Sequence, residues 1–211
     1  AANIKEFADS LITTQNGVSL LPIAALYGAN SSGKSNFLRA LGVFTDLLRR
    51  SNSMNSTEEI NVLPFLLSEN VDLNTSPSYF EIEVITPSNN FYRYGFEANR
   101  KSIVSEWLYK LSGSKETCLF VRENDSIGIT KAFPEGKGLD ERTRNNALFL
   151  SVCGSFNGEI AKELVFDICK CIVTSAVNHE DIYNTIDPIV HQNAELYADV
   201  VKETNAILHQ M

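Results

Sequence analysis

The segment from Gly28 to Ser35 constrains this chain more than any other, because it reads GANSSGKS and matches the pattern G-x-x-x-x-G-K-[ST]. Before it, the apolar residues of Ser19 to Tyr27 are continuous rather than alternating, which predicts a strand with both faces buried. After it, apolar residues recur every three or four positions to about Arg50, which predicts an amphipathic helix. A buried strand, a glycine-containing loop and a helix in succession indicate an α/β fold with a phosphate-binding loop.

Each residue type in this loop suits the binding of a nucleoside triphosphate. The glycines let the backbone wrap around the phosphates, and successive N–H groups at the helix N-terminus form an anion-binding nest. Lys34 would reach the β- and γ-phosphates, and the Ser35 hydroxyl would ligate Mg²⁺. We therefore predict that the nucleotide is bound by nine consecutive residues: Gly28, Ala29, Asn30, Ser31, Ser32, Gly33, Lys34, Ser35 and Asn36.

The period of the apolar residues changes in the middle of the chain, from Tyr79 to Lys131. In FEIEV (Phe80 to Val84) apolar residues alternate with glutamates, which predicts a strand with one face in water. Three more strands are predicted at Phe91 to Ala98, Ser102 to Tyr109 and Thr117 to Arg122. Their connections are too short for crossover helices, so we expect an antiparallel meander.

Helical patterns return after a glycine-rich loop. One helix is predicted from about Asn157, and a last one from Pro188 to Met211 keeps its apolar stripe in phase to the final residue. We expect this last helix to be the start of an arm or lid that packs on another helix. His179, His191 and His209 are too dispersed to form a metal site.

The composition is that of an ordinary globular protein, with 211 residues, 44% of them hydrophobic, and a net charge of −8. No apolar run approaches the ~20 residues that span a bilayer, and no signal-peptide pattern is present. We therefore expect a cytoplasmic protein that does not bind a membrane. The acidic balance argues against a surface that is basic overall and attracts nucleic acid. The four cysteines form no C-x-x-C pair and are predicted to be small buried hydrophobic residues.

The loop and several strings after it resemble a known family. The pattern G-x-N-x-x-G-K-S-N, with Asn30 and Asn36, is similar to the ABC-type ATPase heads of SMC, RecF and OLD-like proteins. The longer string from Leu20 to Leu41 resembles the AAA/ABC-like ATPases of bacterial operons, several of them anti-phage defence systems. The resemblance covers about residues 18–170 and includes PFLL (Pro64 to Leu67), FEIEV, YRYGFEA, EWL (Glu106 to Leu108), LFVRE (Leu119 to Glu123) and RNNALFLS (Arg144 to Ser151).

This resemblance implies an α/β fold, in which a P-loop NTPase core (an ABC-ATPase-like lobe) carries an antiparallel β-subdomain and a helical C-terminal segment. The core is expected in residues 1–60, the β-subdomain in 61–135, and the helical segment in 136–211. The resemblance also implies ATP and Mg²⁺ as cofactors and ATPase activity. It further implies a homodimer or higher oligomer with ATP sandwiched between heads, and a partner effector such as a nuclease or toxin, or a nucleic acid.

Two motifs of such heads are missing in their expected form. No run of four apolar residues is followed by Asp-Glu, and the nearest string, LVFDI (Leu164 to Ile168), is predicted to lie in a core helix. LSGS (Leu111 to Ser114) imitates the signature motif, but it lies between two predicted strands and is predicted to be a turn. We therefore expect the chain to be part of a larger protein, and expect this segment alone to hydrolyse ATP barely or not at all. Its catalytic residues stay unknown.

Two other functions remain open. A small GTPase-like switch would use DSIG (Asp125 to Gly128) as its D-x-x-G motif and NHED (Asn178 to Asp181) as a variant of N-K-x-D, although the antiparallel middle of the chain counts against it. A non-hydrolysing, nucleotide-gated scaffold would control the assembly of an effector through ATP binding alone. The acidic net charge favours the scaffold slightly over a DNA-handling motor.

Overall fold

The computed structural model describes residues 11–14, 17–65, 71–171 and 202. The short strands β1 (Ile12–Thr13) and β2 (Ser19–Leu20) pair with each other, antiparallel. As far as these residues show it, the main sheet is antiparallel and five-stranded, with its strands in chain order: β3 (Ser78–Ile85), β4 (Phe91–Ala98), β5 (Ile103–Ser112), β6 (Lys115–Glu123) and β7 (Ser126–Ile129). The predicted meander is confirmed, and β7 extends it by one strand that the sequence analysis did not assign.

In the part of the chain that the structure describes, three α-helices accompany the sheet: α1 (Lys34–Arg50), α2 (Phe149–Ser155) and α3 (Glu159–Cys169). The helices predicted to end at about Arg50 and to start at about Asn157 are confirmed, and LVFDI lies within α3 as expected. The short helix α2 was not predicted. The last predicted helix, Pro188 to Met211, lies outside the described residues except for Lys202. Among the described helices, none is both long enough and apolar enough to cross a membrane.

The hydrophobic core lies between the helices and one face of the main sheet. On β4 the buried residues Tyr92, Tyr94 and Phe96 alternate with side chains on the other face, as the pleat of a strand requires. The ring of Phe44 on α1 packs against the ring of Phe96 at a centroid distance of 5.3 Å. A second aromatic group joins the sheet to α2 and consists of Phe120, Phe133 and Phe149. Elements of all three expected segments thus share one core, and the proposed domain boundaries remain a prediction.

The prediction of a buried strand from Ser19 to Tyr27 is wrong, because only Ser19–Leu20 lie in a strand and both are exposed. Residues 21–29 have no strand structure, and the side chains of Ile23 and Tyr27 are 81% and 93% exposed. A strand that is buried on both faces needs neighbouring strands and covering helices. Within the described residues, this segment pairs only with Ile12–Thr13. Its apolar sequence therefore has no partner here with which to form a longer strand.

Two strings that imitate nucleotide motifs lie in hairpins. LSGS connects β5 to β6, with Gly113 in the left-handed region at φ 59°, so its prediction as a turn is confirmed. DSIG begins in the tight turn between β6 and β7, where Glu123 pairs with Ser126 and Asn124 has φ 53°. Because the aspartate of DSIG is part of a hairpin turn, this string does not provide the switch of a GTPase. NHED lies outside the described residues.

Candidate nucleotide-binding site

The predicted phosphate loop lies on the surface and leads directly into α1. All residues from Gly28 to Gly33 are exposed, and the helix begins at Lys34. Gly33 has φ 94°, a left-handed conformation that glycine adopts without steric cost. Ser31 also has a positive φ, 64°, which is uncommon for a residue with a side chain. At Gly28 an added Cβ would lie 2.7 Å from Ser32 Oγ, so the loop folds closely on itself there.

The N-terminus of α1 is left open to an external anion. No side chain caps it, and its first turn contains no acidic residue. Within the loop the N–H of Ser32 donates to the Ala29 oxygen over 3.3 Å, and the first N–H of α1 that bonds back to the loop is that of Phe37, which donates to the Gly33 oxygen over 3.1 Å. The N–H groups that precede it at a helix start have no intrahelical partner, and the helix dipole adds positive potential there. This end of the helix is therefore suited to a phosphate.

The ammonium group of Lys34 lies against the loop. Its Nζ donates hydrogen bonds to the backbone oxygens of Gly28 and Ala29, both over 2.6 Å, and lies 3.4 Å from Ser32 Oγ. These contacts place a positive charge at the edge of the backbone that would surround the phosphates. A phosphate oxygen can replace the carbonyls as acceptor, because Lys34 can rotate about four side-chain bonds.

The remaining predicted residues fit the nucleotide and its metal less specifically. Ser35 is exposed on the first turn, where its hydroxyl can reach a cation held by phosphate oxygens. The side-chain oxygen of Asn36 accepts a hydrogen bond from Arg39 over 3.4 Å. Within the described residues, no group of three or more His, Cys, Asp or Glu residues could hold a metal ion by itself. The assignment of Mg²⁺ to Ser35 therefore remains a prediction.

Behind the P-loop helix lies a buried polar pair that the sequence analysis missed. Glu106 on β5 and its register partner Arg122 on β6 are 0% and 1% exposed. Burial raises the pKa of Glu106 and lowers the pKa of Arg122, because each loses the solvation of its charge. The Glu106 carboxylate accepts three hydrogen bonds, from the Tyr94 hydroxyl at 2.9 Å and from the N–H groups of Phe149 and Leu150 at 2.7 and 2.9 Å.

This pair gives a physical reason for three of the strings that carried the family resemblance, because Glu106 lies in EWL, Arg122 lies in LFVRE and both bind RNNALFLS. The carboxylate of Glu106 binds the N-terminus of α2, which lies in RNNALFLS, and Arg122 Nη1 donates to the oxygen of Ala147 in the same string over 2.8 Å. The signal in the sequence was a charged residue two positions from an apolar residue on the same face of its strand, Leu108 for Glu106 and Phe120 for Arg122. In LFVRE, Arg122 shares the inward face with Phe120.

The four cysteines and two nearby arginines, Arg142 and Arg144, differ in how far they are exposed. Cys153 is buried, Cys118 and Cys169 are half-buried, and Cys171 is exposed, so the prediction of buried cysteines is wrong for Cys171. It follows the end of α3 rather than lying within the helix. Arg142 and Arg144 lie close in the sequence but differ in environment: Arg142 is exposed, while Arg144 is half-buried and binds backbone oxygens. It is therefore not available as a phosphate contact.

The P-loop, the helix that follows it and the antiparallel sheet agree with a family comparison. Residues 23–199 match the model of the family described as "AAA domain, putative AbiEii toxin, Type IV TA system". Comparisons with curated proteins and with solved structures find no match. The matched region covers more than half of the chain and includes the whole phosphate loop. The chain therefore belongs to this family and contains an AAA-type, P-loop ATPase-like domain.

Proposed function

We propose that this chain binds Mg-ATP through Gly28 to Asn36 and is the ATP-binding part of an ABC/SMC-like ATPase. The observation that carries the proposal is the geometry around Lys34, whose ammonium group lies 2.6 Å from two loop carbonyls beside the uncapped start of α1. A cation and a set of backbone N–H groups meet at one exposed loop. Together they supply the two kinds of interaction that bind a polyphosphate.

The test of ATP binding replaces Lys34 with Ala and measures ATP affinity by calorimetry. Removing one hydrogen bond to a charged group costs about 1.5–3 kcal/mol, so we expect the affinity to fall roughly 10- to 100-fold. Lys137→Ala is the matched control, because Lys137 is also a lysine but is exposed and lies outside the loop. Equal ATP affinity of the Lys34 variant and the wild type would reject the site.

We propose further that ATP binding joins two heads into a homodimer and thereby controls a partner effector, a nuclease or toxin, in anti-phage defence. The family description, which names a toxin of a TA system, supports the idea of a partner. Sedimentation velocity with and without Mg-ATP tests the dimer, at an ATP concentration that saturates the wild type but not the weaker-binding Lys34→Ala control. A wild-type protein that binds ATP but sediments as a monomer at all concentrations would contradict head dimerisation.

A second candidate is a nucleotide-gated scaffold that binds ATP without hydrolysing it. The favouring observation is the environment of Asp167, the carboxylate in the string nearest to a Walker B motif. It lies in α3 and pairs with Lys170 over 2.9 Å, so it is held by its own helix. We expect this chain to turn over ATP far more slowly than about 1 s⁻¹, the low end for phosphoryl-transfer enzymes. Turnover at that rate, abolished by Lys34→Ala, would refute the scaffold.

A further inference from the structure

The two halves of α1 differ in how they contact the rest of the protein. The first half carries the loop, and its residues Ser35 to Ala40 are exposed, including Phe37 at 60% and Leu38 at 46%. The second half is anchored, with Phe44 and Leu48 only 4% and 1% exposed. Within the described part of the chain, the direction of the helix is therefore set at its C-terminal half.

The segment from Arg144 to Ser151 makes several hydrogen bonds to the C-terminal end of α1 and to the two residues that follow it. Two more bonds join this end to other residues, from Arg49 to the Cys169 oxygen and from Asn52 to the Ser155 hydroxyl. Arg144 Nη2 donates to the backbone oxygen of Asn52 over 2.8 Å and to that of Ser51 over 3.4 Å. The Ser151 hydroxyl donates to the oxygen of Leu48, one of the carbonyls of the last helical turn. Such carbonyls have no partner within a helix, and a cation near them also interacts favourably with the helix dipole.

The same segment is fixed to the sheet by the buried pair described above. Glu106 accepts from the N–H groups at the start of α2, and Arg122 donates to the oxygens of Ala147, Asn145 and Arg144. The end of α1 is therefore linked to β5 and β6 through hydrogen bonds that are largely shielded from water. Such shielded bonds hold their geometry more strongly than surface bonds do.

Because α1 is long, a small change of its direction at the C-terminal end displaces the phosphate loop at the other end by a larger distance. At ~1.5 Å per residue, its 17 residues span about 25 Å. A rotation of about 5° at the anchored end would therefore move the phosphate loop by about 2 Å, which is large compared with the precision that ligand positioning requires.

We propose that Arg144 is a positioning residue for the nucleotide: it fixes the direction of α1 and thereby the place of the phosphate loop relative to the sheet. The proposal rests on the ATP site proposed above. Arg144 does not touch the loop, and it acts through the carbonyls of Ser51 and Asn52 at the opposite end of the helix.

The test uses Trp107, the single tryptophan of the chain, which lies on β5. Energy transfer from Trp107 to bound mant-ATP reports the distance between the sheet and the nucleotide. The variants are Arg144→Gln and, in case that change prevents folding, Arg144→Lys, which keeps the charge but loses the planar fork. Arg142→Gln is the matched control, because it removes the same positive charge at an exposed position nearby.

We expect the folded Arg144 variants to change the transfer efficiency at saturating mant-ATP and to shift its Kd by roughly 2- to 30-fold. Arg142→Gln should match the wild type in both. Circular dichroism and urea unfolding establish that each variant is folded. A folded Arg144 variant with wild-type transfer efficiency and wild-type Kd would overturn the proposal. Absence of mant-ATP binding by the wild type would instead refute the proposed ATP site, so the two failures are distinguishable.

Discussion

Gly95, in the middle of β4, is a position at which we expect the addition of a single methyl group to destabilise the fold. The indole of Trp107 on β5 lies over this glycine on the outer face of the sheet, and its Nε1 donates to a carboxylate oxygen of Glu81 over 2.8 Å. A Cβ added at Gly95 would lie 2.6 Å from Cε2 of the indole and 2.7 Å from the backbone oxygen of Phe80. Carbon atoms in contact are ordinarily about 3.5–4 Å apart.

The magnitude for Gly95→Ala follows from three terms. Overpacking costs about 1–3 kcal/mol, and moving the indole away from Glu81 loses a partly solvated hydrogen bond of about 1 kcal/mol. Alanine is better than glycine in a strand by about 0.5–1 kcal/mol, which offsets part of this cost. We expect the free energy of unfolding to fall by about 1–3 kcal/mol. With a urea dependence of about 2 kcal/mol per molar, the unfolding midpoint should fall by about 1 M.

Urea unfolding followed by both Trp107 fluorescence and far-UV circular dichroism measures this change, since the second probe does not depend on the local environment of the indole. Gly128→Ala on β7 is the matched control, because the nearest atom to its added Cβ is the Val121 oxygen at 3.6 Å, an ordinary contact. The control should be neutral or slightly more stable than the wild type. A Gly95→Ala midpoint at or above the wild-type value would show that Trp107 does not occupy the space above Gly95.

Three further changes are expected. Glu106→Gln should lower the free energy of unfolding by about 2–4 kcal/mol at neutral pH, because an amide nitrogen would face a backbone N–H and the buried Arg122 would lose its counter-charge. In the same urea titration, the control Glu141→Gln at the surface should change little. The folded-state pKa of Glu106 is raised above 4.5, so its protonation stabilises the fold below that pH, and this contribution disappears as the pH rises through the raised pKa. The difference in unfolding free energy between the wild type and Glu106→Gln should therefore shrink as the pH rises through this range. In a thiol-reagent assay the exposed Cys171 should react in the native protein, and the buried Cys153, whose thiol pKa is raised by burial, should react only on unfolding. Glu135→Ala should cost about 1 kcal/mol in urea unfolding, because its carboxylate accepts the N–H groups at the start of α3.

Local patterns were sufficient to predict most of this fold. The 3.6-residue period gave α1 and α3, and the alternation of FEIEV gave β3, because each of these elements packs one face on the core. The segment from Ser19 to Tyr27 failed for the opposite reason: a continuous apolar run says only that the segment can be buried, and the neighbours that would bury it lie elsewhere in the sequence. Helix α2 was missed because seven residues are too few to show a helical period.

In the candidate site, too, local contacts could be predicted from the sequence and long-range contacts could not. The loop contacts of Lys34 are local, so the residues that make them could be read from eight consecutive letters. The network of Glu106, Arg122 and Arg144 joins residues that are far apart in the chain. A charge on the same strand face as Leu108 or Phe120 was a usable signal of a buried polar group. Its partners depend on strand register, however, and could not be deduced without the sheet.

The separation of α1 into an exposed and a buried half has a consequence for how variants should be interpreted. Residues 35–40 contribute little apolar burial, whereas Phe44, Leu47 and Leu48 belong to the core. Substitutions at positions 35–40 should therefore leave the abundance of the protein unchanged, whereas substitutions at the buried positions of the same helix should lower it whether or not ligand is bound. Loss of binding after a substitution in the first turn can then be attributed to recognition itself, rather than to a smaller folded population.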